Sequence, residues 1–109
     1  MIEAGDVVVA FLTGARESKR RPAIVVSTRD YHNERPDVIL AITTSRVEDA
    51  NTAFDCALFD WREANLRSPS AMRSYLFTIE QSDVTKIGRL SAADWQEVQA
   101  RLKLALAAS

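Results

Sequence analysis

The sequence predicts an α+β fold: a small, barrel-like antiparallel sheet followed by one C-terminal helix. Short β-rich apolar runs recur between polar turns, at Asp6–Leu12, Ala23–Val26 and Val38–Thr43. The final segment switches to helical spacing, with Trp95, Val98, Leu102, Ala105 and Leu106 on one stripe. The 109 residues hold no repeat, low-complexity tract or linker. That length predicts one domain over residues 1–109, with enough chain to bury a core without staples.

Gly5-Asp6 is the turn signal before the first strand, Asp6–Leu12. Thr13-Gly14 opens a polar loop that runs to Arg21. Pro22 suits a strand start, where its missing N–H does least harm. Ala23–Val26 is continuously apolar, as in a strand covered on both faces. Ser27–Asn33 is a polar connection with room for one helical turn, and Arg35-Pro36-Asp37 turns the chain into the strand Val38–Thr43. Ser45–Thr52 is polar and aperiodic, which predicts a loop. Ala53–Phe59 alternates enough for another strand, and Asp60 caps a predicted helical turn over 60–65. Ser68-Pro69-Ser70 breaks the chain. Ala71–Thr78 then resumes as a bent strand or strand pair, and Thr85–Leu90 is a short extended piece. Ser91 is the N-cap and Asp94 the first-turn acid of a helix of about 16 residues, roughly 24 Å long. The sum is five to seven short strands and a helix.

Composition narrows the function. The one cysteine, Cys56, cannot form an internal disulfide and reads as a small buried hydrophobe in a reducing compartment. One cysteine and one histidine without ligand spacing predict no metal site, and no cofactor motif is present. The N-terminal Met1-Ile-Glu-Ala-Gly-Asp places an acid where a signal peptide needs basic and then apolar residues, and no apolar run nears the roughly 20 residues that span a bilayer. A cytoplasmic protein without a membrane partner is expected. The net charge of −1 argues against coating a long polyanion. The charge is uneven, however: Arg16, Lys19, Arg20 and Arg21 crowd together, while Glu48, Asp49, Asp55 and Asp60 gather later.

That basic loop runs straight into a buried strand, Arg16-Glu-Ser-Lys19-Arg20-Arg21-Pro22-Ala-Ile-Val-Val-Ser27, and is answered by the hydroxyls of Thr43-Thr44-Ser45. Arginine offers a planar fork of donors that matches phosphate oxygens, and threonine and serine hydroxyls can donate too. Cations on one strand end and hydroxyls on its neighbour make a place for a phosphodiester.

The order of motifs resembles a known family. Gly5-Asp6-Val, the polar loop into Arg21-Pro22-Ala-Ile-Val-Val-Ser27, then Tyr31, Asn33 and Ile42-Thr43-Thr44-Ser45 look like the MazF/PemK type. Ser68-Pro-Ser70, Phe77-Thr-Ile79 and Lys86-Ile-Gly-Arg-Leu90 before a helix match its second half. The resemblance implies the toxin of a type II toxin–antitoxin pair. It further implies a partly open, SH3-like β-barrel, a homodimer, and metal-free, sequence-selective cleavage of single-stranded RNA. The substrate's own 2′-hydroxyl would be the nucleophile, and a cognate antitoxin would lay a disordered acidic tail over the RNA groove. An antiparallel sheet with an uncovered edge and apolar residues such as Phe11, Phe54 and Phe59 leaves surface to hide, which symmetric pairing would cover.

By that resemblance Arg21 would hold the charge of the phosphorane, since a guanidinium is a poor proton donor. Thr43 would hydrogen-bond the scissile phosphate, with Thr44 beside it, and Ser70 and Arg73 would contact the backbone or a base. Lys19 and Arg20 would steer RNA electrostatically. Two places depart from the family pattern. Gly14-Ala-Arg16 stands where many members have Gly-x-Glu, and Ser74 stands where an acid often follows the arginine. No general base is obvious: Glu17 is the nearest acid, with an ordinary surface glutamate as the alternative. His32 has the chemistry for acid–base work but is placed away from the phosphate, in a solvated connection. Trp95 belongs to the helix stripe; Trp61 and Tyr75 are open between packing and base stacking. Two other functions stay open, a same-fold toxin with a protein target, as in the gyrase-poisoning CcdB type, and a catalytically weakened antitoxin-binding member.

Overall fold

A computed structural model describes residues 1–13 and 18–108. The described chain forms six strands: β1 (Asp6–Thr13), β2 (Ser18–Val25), β3 (Asp37–Thr44), β4 (Cys56–Leu58), β5 (Ser70–Glu80) and β6 (Val84–Arg89). Two α-helices join them, α1 (Arg29–Glu34) and α2 (Ala92–Ala105). All neighbours in the one sheet are antiparallel, in the order β4-β5-β3-β2-β1-β6. β6 is therefore at one edge and β5 next to the other, yet only the single turn Gln81–Asp83 separates them in the chain. So short a link can be made only if the sheet curls into a half-barrel, which is the partly open barrel with a C-terminal helix that the sequence predicts.

The curl explains the continuous apolar runs. Val7 and Val8 point to opposite faces, as successive strand residues must, and both are fully buried. Val7 joins Ile24, Ala41, Leu58, Met72, Val98 and Leu102 under α2. Val8 joins Ala10, Ala23, Val25, Val38 and Leu40, covered by Ile2, Phe77, Ile79 and Val84. Gly5, at φ +90, makes the turn into β1, and its N–H and C=O tie to Val25 and Leu90. A Cβ there would stand 3.3 Å from the Trp95 ring. Asp6 is wholly buried but paired, accepting from Glu3 N at 2.8 Å and Arg89 Nη1 at 2.8 Å, with Lys86 Nζ at 3.3 Å.

Several local expectations are corrected. The basic segment Ser18–Arg21 is strand rather than loop, because it pairs residue for residue with the far end of β1. β4 is only three residues long, and the predicted cap at Asp60 starts no helix: 60–65 is a chain of turns, with the Asp60 carboxylate accepting from Ser91 Oγ at 2.7 Å. Ala105 and Leu106 leave the helix stripe for solvent, whereas Trp95, Val98 and Leu102 pack as expected. His32 is not in a solvated loop. It lies in α1 with its ring held between Ser27 Oγ at 2.6 Å and Ile2 O at 3.2 Å. A carbonyl oxygen only accepts, so Nδ1 carries a proton and donates it to Ile2.

Candidate functional site

Past the pair Ala23↔Ile42 the β2–β3 ladder ends. Pro22 has no N–H to continue it, so the two strands part and a groove opens. The groove has a volume of about 630 Å³. Val9 of β1, Arg20, Arg21 and Pro22 of β2, Thr43 and Ser45 at the end of β3, Ser70 of β5, Ile87 of β6 and the segment Asn65–Ser68 line it. Arg20, Arg21 and Arg67 are among its lining residues, and all three are exposed. No carboxylate and no imidazole lines it among the described residues. Nor does any group of three His, Cys, Asp or Glu residues among them converge as a metal would require.

The two buried hydroxyls of the groove are framework. Thr43, 5% exposed, donates from Oγ1 to Pro22 O at 2.9 Å, and Ser70, 7% exposed, donates from Oγ to Ser68 O at 2.9 Å. A hydroxyl has one proton, so each is committed to a carbonyl. Thr43 thereby closes the ladder where Pro22 interrupts it, and Ser70 tightens the turn that carries Arg67.

The Asn65–Ser68 segment is set from both ends. Asp94, 3% exposed in α2, accepts from Phe59 N at 3.1 Å and Asp60 N at 2.8 Å. Asn65 sits at φ 62, the left-handed region that asparagine tolerates, and its Nδ2 donates to Ile87 O at 2.8 Å. Gly88 lets this loop lie on β6: a Cβ there would stand 2.2 Å from Ala64 O. The result brings Arg67, far from Arg21 in sequence, to the same groove.

The structure thus gathers Arg20, Arg21, Thr43 and Ser70 of the predicted site and leaves three predicted residues elsewhere. Lys19 is exposed on β2 and does not line the groove; Thr44 Oγ1 accepts from Arg46 N at 3.1 Å in the turn beyond β3. Arg73 lies over the Tyr75 ring, 4.5 Å from its centroid, and donates to Tyr75 Oη at 3.1 Å. Arg16 and Glu17, the candidate base, lie outside the described residues. Sequence reasoning missed Asn65, Arg67 and Ser68. The available signal was the break Ser68-Pro69-Ser70 directly after a cation, a turn able to present a side chain at the barrel mouth. Trp61 packs against the core, with the Arg62 guanidinium 4.9 Å from its ring centroid.

Fold and groove together define a half-open antiparallel barrel with a cleft whose charge suits an anion. Residues 3–106 match the family model described as PemK-like, MazF-like toxin of type II toxin-antitoxin system, and the chain belongs to that family. Solved structures share its fold. The MazE-MazF (Form-III) crystal structure from Deinococcus radiodurans superposes with a TM-score of 0.78 at 22% identity, over 99% of this chain and 98% of that one. The Mycobacterium tuberculosis toxin MazF-mt6 gives 0.70 at 22% identity, over 92% and 94%. An endoribonuclease in complex with its cognate antitoxin from Mycobacterial species gives 0.74 at 14% identity, over 100% and 98%. No match was found among curated proteins. No helix of the described residues is long and apolar enough to cross a membrane.

Proposed function

We propose that this toxin-family chain is a metal-independent endoribonuclease that cuts single-stranded RNA at a few short motifs in the cytoplasm. One observation carries the reading: three arginines line a groove in which no described carboxylate or imidazole opposes an anion or offers a metal its ligands. RNA supplies its own nucleophile. The 2′-hydroxyl oxygen bonds to the adjacent phosphorus, the bond from phosphorus to the 5′-oxygen breaks, the 2′-proton is lost to a base and the 5′-oxygen gains one. The products are a 2′,3′-cyclic phosphate and a 5′-hydroxyl. Arg21 holds the charge that builds on the equatorial oxygens, and such preorganised donors are commonly worth about a hundred- to a thousand-fold each. Arg20 and Arg67 bind flanking phosphates. Thr43 keeps the Arg21-Pro22 peptide in place through the Pro22 carbonyl, and Ser70 does the same for the Arg67 turn. Glu17 is the proposed base.

The same charge suits a partner. An acidic, partly apolar antitoxin tail competes with RNA for this groove, as the family's toxin–antitoxin pairing leads one to expect. Phe54 and Phe59, exposed by 43% and 83%, are the proposed contacts of a homodimer.

The test is incubation of the purified protein with a long single-stranded RNA in EDTA, beside Arg21→Ala. Cleavage by wild type alone, leaving cyclic phosphate ends, is the expected result. A wild type that binds an antitoxin tail but leaves the RNA whole overturns the nuclease reading in favour of a regulatory one.

A further inference from the structure

Phe11 stands on the outer half of β1 with 60% of its surface exposed. Its partner across the β1–β2 ladder is Arg20, and the pair next inward on the same face is Val9 with Pro22. Residues opposite one another in a ladder share a face, as do residues two apart along a strand. Val9, Pro22 and Arg20 all line the groove. Phe11 therefore extends the groove's floor, about 7 Å beyond Val9. The ladder runs without a shift from Val7↔Ile24 to Thr13↔Ser18. A slip that hid Phe11 would turn every other residue of the hairpin over, ejecting Val7 and Ile24 from the core. The ring is held outward.

We propose that Phe11 is a base-stacking platform, taking one unpaired nucleobase of an RNA strand whose phosphates run along Arg20, Arg21 and Arg67. The inference rests on the ribonuclease reading and adds a subsite to it. Charge selects this occupant over a second copy of the chain. A symmetric partner seated on Phe11 would press its own Arg20 toward this one, whereas RNA brings phosphate to it and a π-face to the ring. Stacking of this kind is tolerant of base identity. Phe11 thus contributes affinity and register at one nucleotide, while discrimination between bases lies elsewhere.

The probe is an RNA motif that wild type cuts, made uncleavable by 2′-O-methylation, together with versions carrying one abasic sugar at each position in turn. Phe11→Leu keeps an apolar side chain and removes the π-face; Phe11→Trp restores one. Phe11→Leu is expected to weaken binding about tenfold, with Phe11→Trp at least as tight as wild type and its added indole fluorescence quenched by the RNA. An abasic sugar at one position should weaken wild type by the same factor and Phe11→Leu not at all. Unchanged binding by Phe11→Leu, or equal losses at every abasic position, overturns the platform while wild-type cleavage leaves the nuclease reading standing. A shift of Phe11→Leu from dimer to monomer in gel filtration also overturns it, since the ring would then belong to a protein contact. A wild type that neither cuts nor binds RNA overturns both.

Discussion

Thr43 Oγ1 donates to the carbonyl of Pro22 across 2.9 Å, and this bond stands where the β2–β3 ladder would have continued. Proline removes a donor and leaves an acceptor to be satisfied. A side-chain hydroxyl from the neighbouring strand takes it. Pro22, next to Arg21 in the chain, is thereby held at the edge of the groove without closing it.

Thr43→Val should cost about 1 kcal/mol in urea unfolding, because the Pro22 carbonyl loses its partner at nearly constant volume. Thr43→Ser should stay close to wild type. Cleavage should fall with Val and survive with Ser. A Val variant as stable and as active as wild type would deny Thr43 its positioning part.

Arg21→Ala and Arg67→Ala should separate chemistry from binding. Both side chains are exposed, so thermal stability should move by no more than about 0.5 kcal/mol. Arg21→Ala is expected to lower kcat by about a hundredfold or more. Arg67→Ala should act on KM and flatten the salt dependence of RNA binding by about 0.7 in log–log slope, the share of one phosphate on a single strand. Identical kinetic defects in the two variants would contradict the division of labour.

Gly88→Ala tests the seat of the Asn65–Ser68 loop. The new methyl would meet Ala64 O at 2.2 Å, and backbone on both sides resists moving. A loss of about 1–3 kcal/mol is expected, with Arg67 displaced and RNA affinity reduced beyond what stability explains. Full stability would mean that the loop yields freely.

Acid sensitivity should trace to Asp37. The Tyr31 hydroxyl bond first, and the Arg35 guanidinium second, hold its carboxyl below the ordinary aspartate value. A depressed folded pKa contributes stability above the unfolded value of about 4, and that contribution is lost as pH falls through the folded pKa. Asp37→Asn should flatten the low-pH limb of Tm against pH. The same hydrogen bond raises the Tyr31 pKa, as does burial. Its stabilisation is therefore complete below about pH 10 and lost as pH rises through the folded value. An Asn variant with an unchanged acid limb would assign the effect to other carboxylates.

Cys56 should be a slow thiol. Burial, with the Glu97 charge adding to it, pushes its pKa up to about 11. At pH 8 about one thiol in a thousand is ionised, and the thiolate is the nucleophile. Alkylation by iodoacetamide should be slow in the folded protein and fast in guanidinium chloride. Fast modification of the folded chain would place Cys56 outside the core.

Local sequence determined the main apolar strands, the terminal helix and the run of cations beside the groove. Alternation and helical spacing state which side chains must leave water, and Arg20, Arg21 and Pro22 are neighbours whatever the chain does around them. Tertiary structure decided the rest. It carried the polar stretch Ser18–Arg21 into the sheet by pairing with β1, where composition alone reads as loop. The proton of Thr43, read as a donor to phosphate, is taken by a carbonyl 21 residues back in the chain. Arg67 reached the groove only through the hold of Asp94 on Phe59 and Asp60 and of Asn65 on Ile87. Phe11 was turned outward by a register that the core residues impose on the whole hairpin. Side-chain periodicity is a local property that a residue string carries. The return of a turn to a distant strand depends on hydrogen bonds between groups far apart in sequence, and those exist only once the sheet has curled.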